Sequence, residues 1–379
     1  MVETKVYADK FSTSFSSPGD FLRFLGERAR NSSWLTAKSK DLTFEAMDKV
    51  DPTALFGSVT SSDEALRDTM ENTSLLMTVH GSKYPVRSCA LKTVLVRARI
   101  SGTALNKVSR DVFAEILNCC MGVASGDSLI RIADEKVSAV HGGDPKDYAV
   151  MEMLPLFEHV CDYVNRVFPG NHFVTAHFDH LMVTAIWRLD GQSDKLLDTY
   201  RREVAAKGLN PIGIVPALRV TTSDVGWSGA NLYPIFLHGN GDRIIPLGYP
   251  IKTDHRSGVD LNYFDSQLNL LYSRFCDAVQ AQTKLLDIEI QYPETALLGV
   301  LKRIGAPRKA SYEALDYFLA IHGSSPCTAY ELYMQMSDVV FSAQCDGASA
   351  LRISQLEETV ARALHVNWRE YDHPGPVNW

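Results

Sequence analysis

Long apolar runs are missing from this 379-residue sequence. No segment approaches the roughly 18–20 uncharged apolar residues that a helix needs to cross a membrane. The first eleven residues contain acids and no apolar stretch of the kind found in a secretory signal. These absences predict a soluble, cytoplasmic protein without a membrane partner.

Paired cysteine motifs are also missing. The seven cysteines include no CxxC spacing, and Cys119 and Cys120 are direct neighbours. In a chain without an export signal, this pattern predicts reduced thiols rather than disulfides. The apolar content of 45% and charged content of 22% are typical of a globular protein, and the length allows one large core or several smaller ones.

Signatures of nucleotide binding and nucleophilic catalysis are absent. The sequence contains no GxxxxGK[ST], no GxGxxG followed by a helix, no GxSxG and no HExxH. The glycines at 226, 229, 239 and 241 precede strand-like sequence, so turn geometry explains them better than a phosphate-binding loop. We therefore predict no catalytic residue and no cofactor, and an enzyme is the less favoured class of function.

One cluster has the composition of a metal site: His172, His177, Asp179 and His180. On a strand, His177 and Asp179 share one face, while the other two histidines lie on the opposite face. Because a metal site needs convergent side chains, at most two of these residues can bind one ion, and we predict no metal ligand. An enzyme that uses this cluster, or His255, stays open as an alternative.

Hydrophobic periodicity predicts an α+β fold with a mixed or antiparallel sheet core flanked by helices and a mainly helical C-terminal region. We predict three regions: an acidic, loop-rich N-terminal region (1–72), an α+β core (73–259) and a helical region (260–379). Strands are predicted at 74–80, 129–132, 136–141, within 172–189 and within 212–247. Helices are predicted at 90–100, 111–124 (ended by Gly126), 150–168, 193–207, 261–286, 295–304, 311–322, 328–342 and 353–364.

Charge is unevenly distributed although the net charge is −7. Residues 41–71 contain eight acids and only two bases, whereas residues 82–110 contain seven bases and no acid. Lysine and arginine on accessible faces are what phosphate contacts require. We therefore predict a nucleic-acid-binding surface formed by the following residues: Lys83, Arg87, Lys92, Arg97, Arg99, Lys107, Arg110 and Trp227.

Aromatic side chains add the means to stack on bases. Trp227 is the preferred platform, and Tyr84, Trp187 and Tyr233 are further candidates. The competing interpretation is that the bases of 82–110 pair with the acids of 41–71, within one chain or between subunits. The sequence leaves both interpretations open.

Two sequence blocks carry a family resemblance. The segment ALRVTTSDVGWSGANLYPIFLHGNGDRIIPLG (217–248), followed by IKTDHRSG, resembles the uncharacterised phage/plasmid-like protein family. The shared pattern is Ser223, Asp224 and Gly226 after a strand, an Asn-Gly turn at 240–241, and the pair His255 and Arg256. The upstream block YPVRSCALKTVLVRARISGTAL resembles a longer subgroup of that family. Family members often have a cysteine before the Asn-Gly turn, where this chain has His238-Gly239.

The resemblance implies a mobile-element protein engaged in DNA maintenance, single-strand handling or interference with host defence. It implies no catalytic residue. We therefore predict a non-enzymatic protein that handles or anneals single-stranded DNA as a homo-oligomer. The alternatives are an interaction or assembly protein, whose partner is a host protein or its own copies, and a metal-dependent enzyme acting on nucleic acid. The segregated charges and the aromatic stripe of helix 261–286 favour the assembly alternative.

Overall fold

The computed structural model describes residues 5–49, 59–210, 213–238, 243–256 and 258–379. Antiparallel sheets flanked by helices make up the fold, so the predicted α+β class is confirmed. The helices are α1 Pro18–Arg30, α2 Asp63–Glu71, α3 Ala90–Arg97, α4 Arg110–Gly122, α5 Met153–Val167, α6 Ser193–Ala206, α7 Leu261–Leu268, α8 Leu271–Thr283, α9 Pro293–Ile304, α10 Arg308–His322, α11 Ala329–Gln335, α12 Ser337–Cys345 and α13 Ala350–Ala361.

The strands are β1 Ser12–Phe15, β2 Ser32–Lys38, β3 Thr43–Ala46, β4 Leu75–Val79, β5 Ser82–Pro85, β6 Asp127–Ala133, β7 Lys136–Gly142, β8 His172–Asp179, β9 Val183–Arg188, β10 Ile214–Thr222, β11 Ala230–His238, β12 Arg243–Pro246, β13 Ile251–Thr253, β14 Glu289–Ile290 and β15 Cys327–Thr328. Within the described ranges the largest sheet has seven strands in the order β1-β8-β9-β10-β11-β12, with β13 also paired to β11. Two further sheets have three strands each, in the orders β2-β6-β7 and β3-β4-β5, and β14 pairs with β15.

The first 46 residues complete sheets whose other strands come later in the chain. β1 pairs with β8, β2 with β6, and β3 with β4, all antiparallel. The acidic N-terminal region therefore shares its sheets with residues 73–259, while the boundaries at 72 and 259 stay predictions.

The central strands β10 and β11 are mainly apolar and are buried along almost their whole length. Such continuous runs fit strands that are covered on both faces, whereas one-sided burial would give alternation. One face belongs to the large core, which contains Leu218, Leu232 and Phe236. The opposite face carries a smaller core around Ala217 and Ile235. Helices α6 and α8 contact this sheet, and α12 and α13 contact its β12 edge.

The predicted helix 261–286 is wrong as a single helix. The structure breaks it into α7 and α8 around Asn269 and Leu270. α7 packs against α5, whereas α8 packs against α6 and β11. Each helix buries its own aromatic side chain, Phe264 on α7 and Phe275 on α8. Most of the aromatic stripe is consequently core.

Two other predicted helix limits also change. Residues 328–342 form α11 and α12, which meet at the buried Met336, and α4 ends at Gly122 rather than near Gly126. The hairpin predicted across 133–135 is confirmed, with Asp134 and Glu135 at positive φ in the turn. Among the described residues, no helix has the length and apolar character of a membrane span.

Candidate functional site

Helix α3 presents a mixed basic and apolar face to solvent. Ala90, Thr93 and Val94 are buried where α3 packs on β7, and the hydroxyl of Thr93 accepts a 2.9 Å hydrogen bond from the backbone N–H of Val140. Lys92 and Val96 are one helical turn apart on the outward side, and Val96 is 69% exposed. The sequence pattern therefore places a cation beside an exposed apolar side chain.

Arg99 follows the end of α3 in a conformation that usually belongs to glycine. Its φ is +56°, and its N–H bonds the carbonyl of Val96 at 3.0 Å, while the N–H of Ile100 bonds the carbonyl of Leu95 at 2.9 Å. These bonds form a Schellman end, in which a left-handed residue closes the helix. The left-handed conformation costs a residue with a side chain about 1–2 kcal/mol. The exposed guanidinium of Arg99 is held at this position despite that cost.

A cleft of about 420 Å³ lies between α3, the end of β7, residues 147–148 and Gly226. Lys92, Arg97 and Arg99 contribute its basic wall. His141 and Tyr148 contribute aromatic rings to the cleft, and Asp147 is the one carboxylate among its lining residues. We call this the basic cleft.

A second cleft, of about 270 Å³, adjoins the basic cleft. The two share Asp147, Tyr148 and Gly226, and the second is also lined by Trp227, Asp254, His255 and Arg256. The structure brings the basic helix, the signature turn and the His-Arg pair to one site.

Trp227 lies against the N-terminal part of α3. The Nζ of Lys92 is 3.8 Å from the centroid of the indole ring, which is within cation–π range. The indole Nε1 donates to the carbonyl of Cys89 at 3.4 Å. Ser223 fixes the preceding turn, since its hydroxyl accepts bonds from the N–H groups of Val225 and Trp227 at 3.3 and 3.1 Å.

A stack of aromatic rings connects the two clefts. The rings of His141 and Tyr148 are 3.8 Å apart and nearly parallel, and the ring of His255 lies 5.1 Å from that of Tyr148 on an almost parallel plane. Trp34 is tilted against His141 and Tyr148. Gly226 fits beside the stack because it has no side chain: a Cβ there would lie 2.7 Å from Cε1 of His141, and its φ is +76°.

Buried charges lie next to this stack. Oδ2 of Asp224 accepts from Nε of Arg131 at 3.3 Å and from Nη2 of Arg28 at 3.5 Å. Arg28 also pairs with Asp134, so two arginines and two aspartates balance each other. Burial acts to raise the pKa of Asp224, but the two guanidinium groups outweigh it and hold the pKa below its ordinary value. Asp224 is therefore a charged, structural residue at pH 7.

Three polar atoms of the stack have no hydrogen-bond partner in the described part of the chain: Nε2 of His141, the hydroxyl of Tyr148 and Nε2 of His255. The other ring nitrogen of His255 lies 3.3 Å from the carbonyl oxygen of Ala149. Burial lowers the pKa of both histidines and raises that of Tyr148. All three side chains are therefore neutral at pH 7.

Acidification is expected to destabilise the protein through His141. Burial, with a contribution from His255, lowers the pKa of His141 from 6.5 to about 4. Between these values the unfolded chain binds a proton that the folded chain does not, so stability is lost as the pH falls through this window. At pH 5 the loss from His141 alone is about 2 kcal/mol. Urea unfolding at pH 7 and pH 5 measures it, and His141→Gln should reduce the difference; an unchanged difference would contradict this assignment.

The predicted nucleic-acid contacts separate into two groups. Lys92, Arg97 and Arg99 line the basic cleft, and Trp227 lies beside it. The Arg97 guanidinium is already bonded within the protein: Nε donates to the hydroxyl of Ser128 at 3.1 Å, and Nη2 donates to the hydroxyl of Ser39 and to the carbonyl groups of Ser125 and Asp127. These bonds fix its orientation. Within the described ranges, none of these three cations forms an ion pair with a carboxylate.

The remaining predicted cations lie elsewhere. The prediction for Arg87 is wrong, because its side chain is 1% exposed and donates to the carbonyl groups of Ala8 and Ala133. Lys83 pairs with Glu45, as the competing interpretation of charge pairing predicts for this residue. Lys107 is exposed at the end of a short 3₁₀ turn, and Arg110 lies over the ring of Phe113 at 5.6 Å. Neither lines the basic cleft.

The aromatic residues predicted to stack on bases also differ in their exposure. Trp187 and Tyr233 are 2% and 5% exposed, so they are core residues and cannot stack on a base. Tyr84 is half-buried on β5 and packs against a hydrophobic core. Cys89 is buried, and burial raises its pKa to about 12, so it is not a reactive thiol.

The histidine cluster of β8 does not converge. Nδ1 of His177 lies 3.0 Å from the hydroxyl of Ser14, and Oδ1 of Asp179 accepts from the N–H groups of Leu181 and Met182. His180 is buried, with its Nε2 3.0 Å from the carbonyl oxygen of Ala8. The described residues contain no group of three or more His, Cys, Asp or Glu that could hold a metal ion. The predicted Asn-Gly turn at 240–241 lies outside the described residues.

Sequence reasoning missed five residues of the site: Arg28, Trp34, Arg131, His141 and Tyr148. Four of them come from α1, β2, β6 and β7, and Tyr148 comes from the loop between β7 and α5, so no spacing in the sequence connects them. The double glycine after His141 was the nearest signal, because it predicts a turn at the end of a strand.

The chain matches no protein-family model, no curated protein and no solved structure. Its resemblance to the phage/plasmid-like family therefore stays a prediction, and the function rests on the geometry of the two clefts.

Proposed function

We propose that the basic cleft binds the phosphates of single-stranded nucleic acid, with single-stranded DNA as the preferred ligand. The observation that carries the proposal is the basic wall of Lys92, Arg97 and Arg99, with the half-buried indole of Trp227 beside it. Lysine and arginine contact phosphate oxygens without regard to sequence, while aromatic and apolar side chains contact bases and sugars. The exposed Val96 between the cations offers such an apolar contact.

The form of the cleft favours an unpaired strand. Its volume of about 420 Å³ is in the range of small-ligand sites, so it suits one or two nucleotide units rather than a duplex. Aromatic faces bind bases only when those bases are not paired and stacked in a helix. In the wider proposal, the protein handles or anneals DNA of a mobile element as a homo-oligomer and uses no covalent chemistry.

A salt series with fluorescently labelled single-stranded DNA tests this function. In a plot of the logarithm of the association constant against the logarithm of the KCl concentration, each phosphate contact with a single strand contributes about −0.7 to the slope. Three contacts therefore predict a slope of about −2. Fluorescence anisotropy measures the slope, and unlabelled duplex of the same length should compete more weakly than unlabelled single strand. An affinity that does not change with salt, or the absence of any binding at low salt, would refute the proposal.

Assembly through the C-terminal helices is the second candidate function. Tyr317 and Ile321 are one turn apart on α10 and are 56% and 71% exposed. Two large apolar side chains on one exposed helix face suit a contact with another protein or another copy of this chain. A strictly monomeric mass in native mass spectrometry would exclude the self-assembly form.

A further inference from the structure

We propose that the Tyr148 hydroxyl and the neighbouring His141 ring form a subsite that hydrogen-bonds the edge of one unpaired nucleobase. This inference rests on the proposed function, since the same nucleotide would place its phosphate on the basic wall. It adds a property that phosphate contacts cannot give, namely a preference among bases.

The Tyr148 hydroxyl is the first observation. The residue is 6% exposed and lines both clefts, yet its hydroxyl has no hydrogen-bond partner in the described part of the chain. Buried polar groups in folded proteins are almost always hydrogen-bonded, so an unpaired hydroxyl on a residue that lines a cleft requires a partner, which we assign to the ligand.

His141 provides a second, adjacent polar atom. Its ring stacks on Tyr148 at 3.8 Å, and its Nε2 also lacks a hydrogen-bond partner among the described residues. A neutral imidazole nitrogen donates or accepts according to its tautomer, and a tyrosine hydroxyl can do both. Both atoms are thus able to hydrogen-bond polar groups of the kind found on the Watson–Crick edge of a base.

The adjoining wall is formed by Gly226. Its backbone packs closely on the His141 ring, since a Cβ there would lie 2.7 Å from Cε1 of the imidazole, so any side chain would displace that ring. The turn that holds Gly226 is fixed by the hydroxyl of Ser223 and by the charge network around Asp224. A fixed wall reduces the ordering cost of binding and makes discrimination between bases effective.

Tyr148→Phe tests the subsite, because it removes the hydroxyl and keeps the ring stack. The probes are labelled oligonucleotides of equal length: oligo-dT, oligo-dC, oligo-dA and a strand of abasic units with the same number of phosphates. We expect the wild-type protein to bind its best base-bearing strand about tenfold more tightly than the abasic strand, as one good base-edge contact provides. In Tyr148→Phe this ratio should fall several-fold, with an unchanged salt slope.

Stability measurements and a control variant complete the test. The melting temperature of Tyr148→Phe should equal or exceed that of the wild type, because the change removes an unpaired buried hydroxyl. Tyr249→Phe is the matched control, since Tyr249 is 57% exposed and stacks on His365 away from the clefts. It should leave the ratio unchanged.

Different results would refute the base subsite and the phosphate-binding cleft. Salt-dependent binding with equal affinity for base-bearing and abasic strands would refute the base subsite and leave the phosphate cleft standing. An unchanged ratio in Tyr148→Phe would also refute the role of the hydroxyl. If none of the strands binds, both the proposed function and the subsite are wrong.

Discussion

Asp224→Ala is expected to lower the free energy of unfolding by about 3–5 kcal/mol, the largest single effect we expect in this protein. The carboxylate is 5% exposed and contacts Arg131 at 3.2 Å and Arg28 at 3.5 Å. Without it, Arg28 keeps only Asp134 and Arg131 keeps only a 3.9 Å contact to the partly exposed Glu152, so the buried positive charge is no longer balanced. Breaking a buried pair in this way costs more than the pair itself contributes. Urea unfolding at pH 7 measures the change.

Two variants separate charge from volume. Asp224→Asn keeps the shape and loses the charge, so it should retain only part of the stability. Asp254→Ala removes a carboxylate from the rim of the second cleft whose side chain is 65% exposed, and it should change the free energy of unfolding by less than about 0.5 kcal/mol. A loss below about 1 kcal/mol in Asp224→Ala would contradict the buried network as the support of the site.

The double variant Lys92→Glu/Arg99→Glu is expected to weaken binding of single-stranded DNA about 100-fold at low salt. Both cations line the basic cleft, and each reversal replaces an attraction to phosphate with a repulsion of similar size. A factor of 100 corresponds to about 2.8 kcal/mol, which two reversed contacts can supply. The salt slope should become flatter because fewer counterions are released. Fluorescence anisotropy over a KCl series measures both quantities.

Arg99→Gly separates the charge of Arg99 from its backbone conformation. Glycine adopts a φ of +56° without strain, so this variant should be about 1 kcal/mol more stable than the wild type while it binds DNA less tightly. Opposite changes in stability and affinity would indicate that the arginine is present for binding. A variant that is more stable and binds equally well would show that Arg99 does not contact the ligand.

Lys309→Glu is the matched control for the charge reversals. Lys309 lies on α10, its side chain is 78% exposed, and it lines neither cleft. Its reversal changes the net charge as much as each cleft substitution does. An equal loss of affinity in Lys309→Glu would show that overall charge, and not the basic cleft, governs binding.

Local structure was largely predictable from the sequence. The alternating and apolar runs around residues 133–135 predicted the β6–β7 hairpin, and the structure places Asp134 and Glu135 at positive φ in its turn. The apolar stripe of residues 90–100 likewise predicted a helix, and the structure buries Ala90 and Val94 of that stripe in α3. These predictions succeeded because neighbouring residues determine turns and amphipathic faces.

The site itself was only partly predictable. Lys92, Arg97 and Arg99 were recognised as candidate contacts from charge alone, and Trp227 from its ring. Charge could not show that Arg87, five residues before Lys92, is buried while Lys92 is exposed. Burial depends on which side of the segment faces β7, and that contact is between distant parts of the chain.

The sequence by itself determined the α+β class, the order of most helices and strands, and a segment of seven bases without an acid. Only the tertiary structure decided which basic side chains reach solvent and which aromatic rings lie beside them. His141, Tyr148 and His255 meet because three segments distant in the chain pack around the 223–226 turn, and hydrophobic burial with paired buried charges holds them there. Within the signature turn, Gly226 lines the basic cleft.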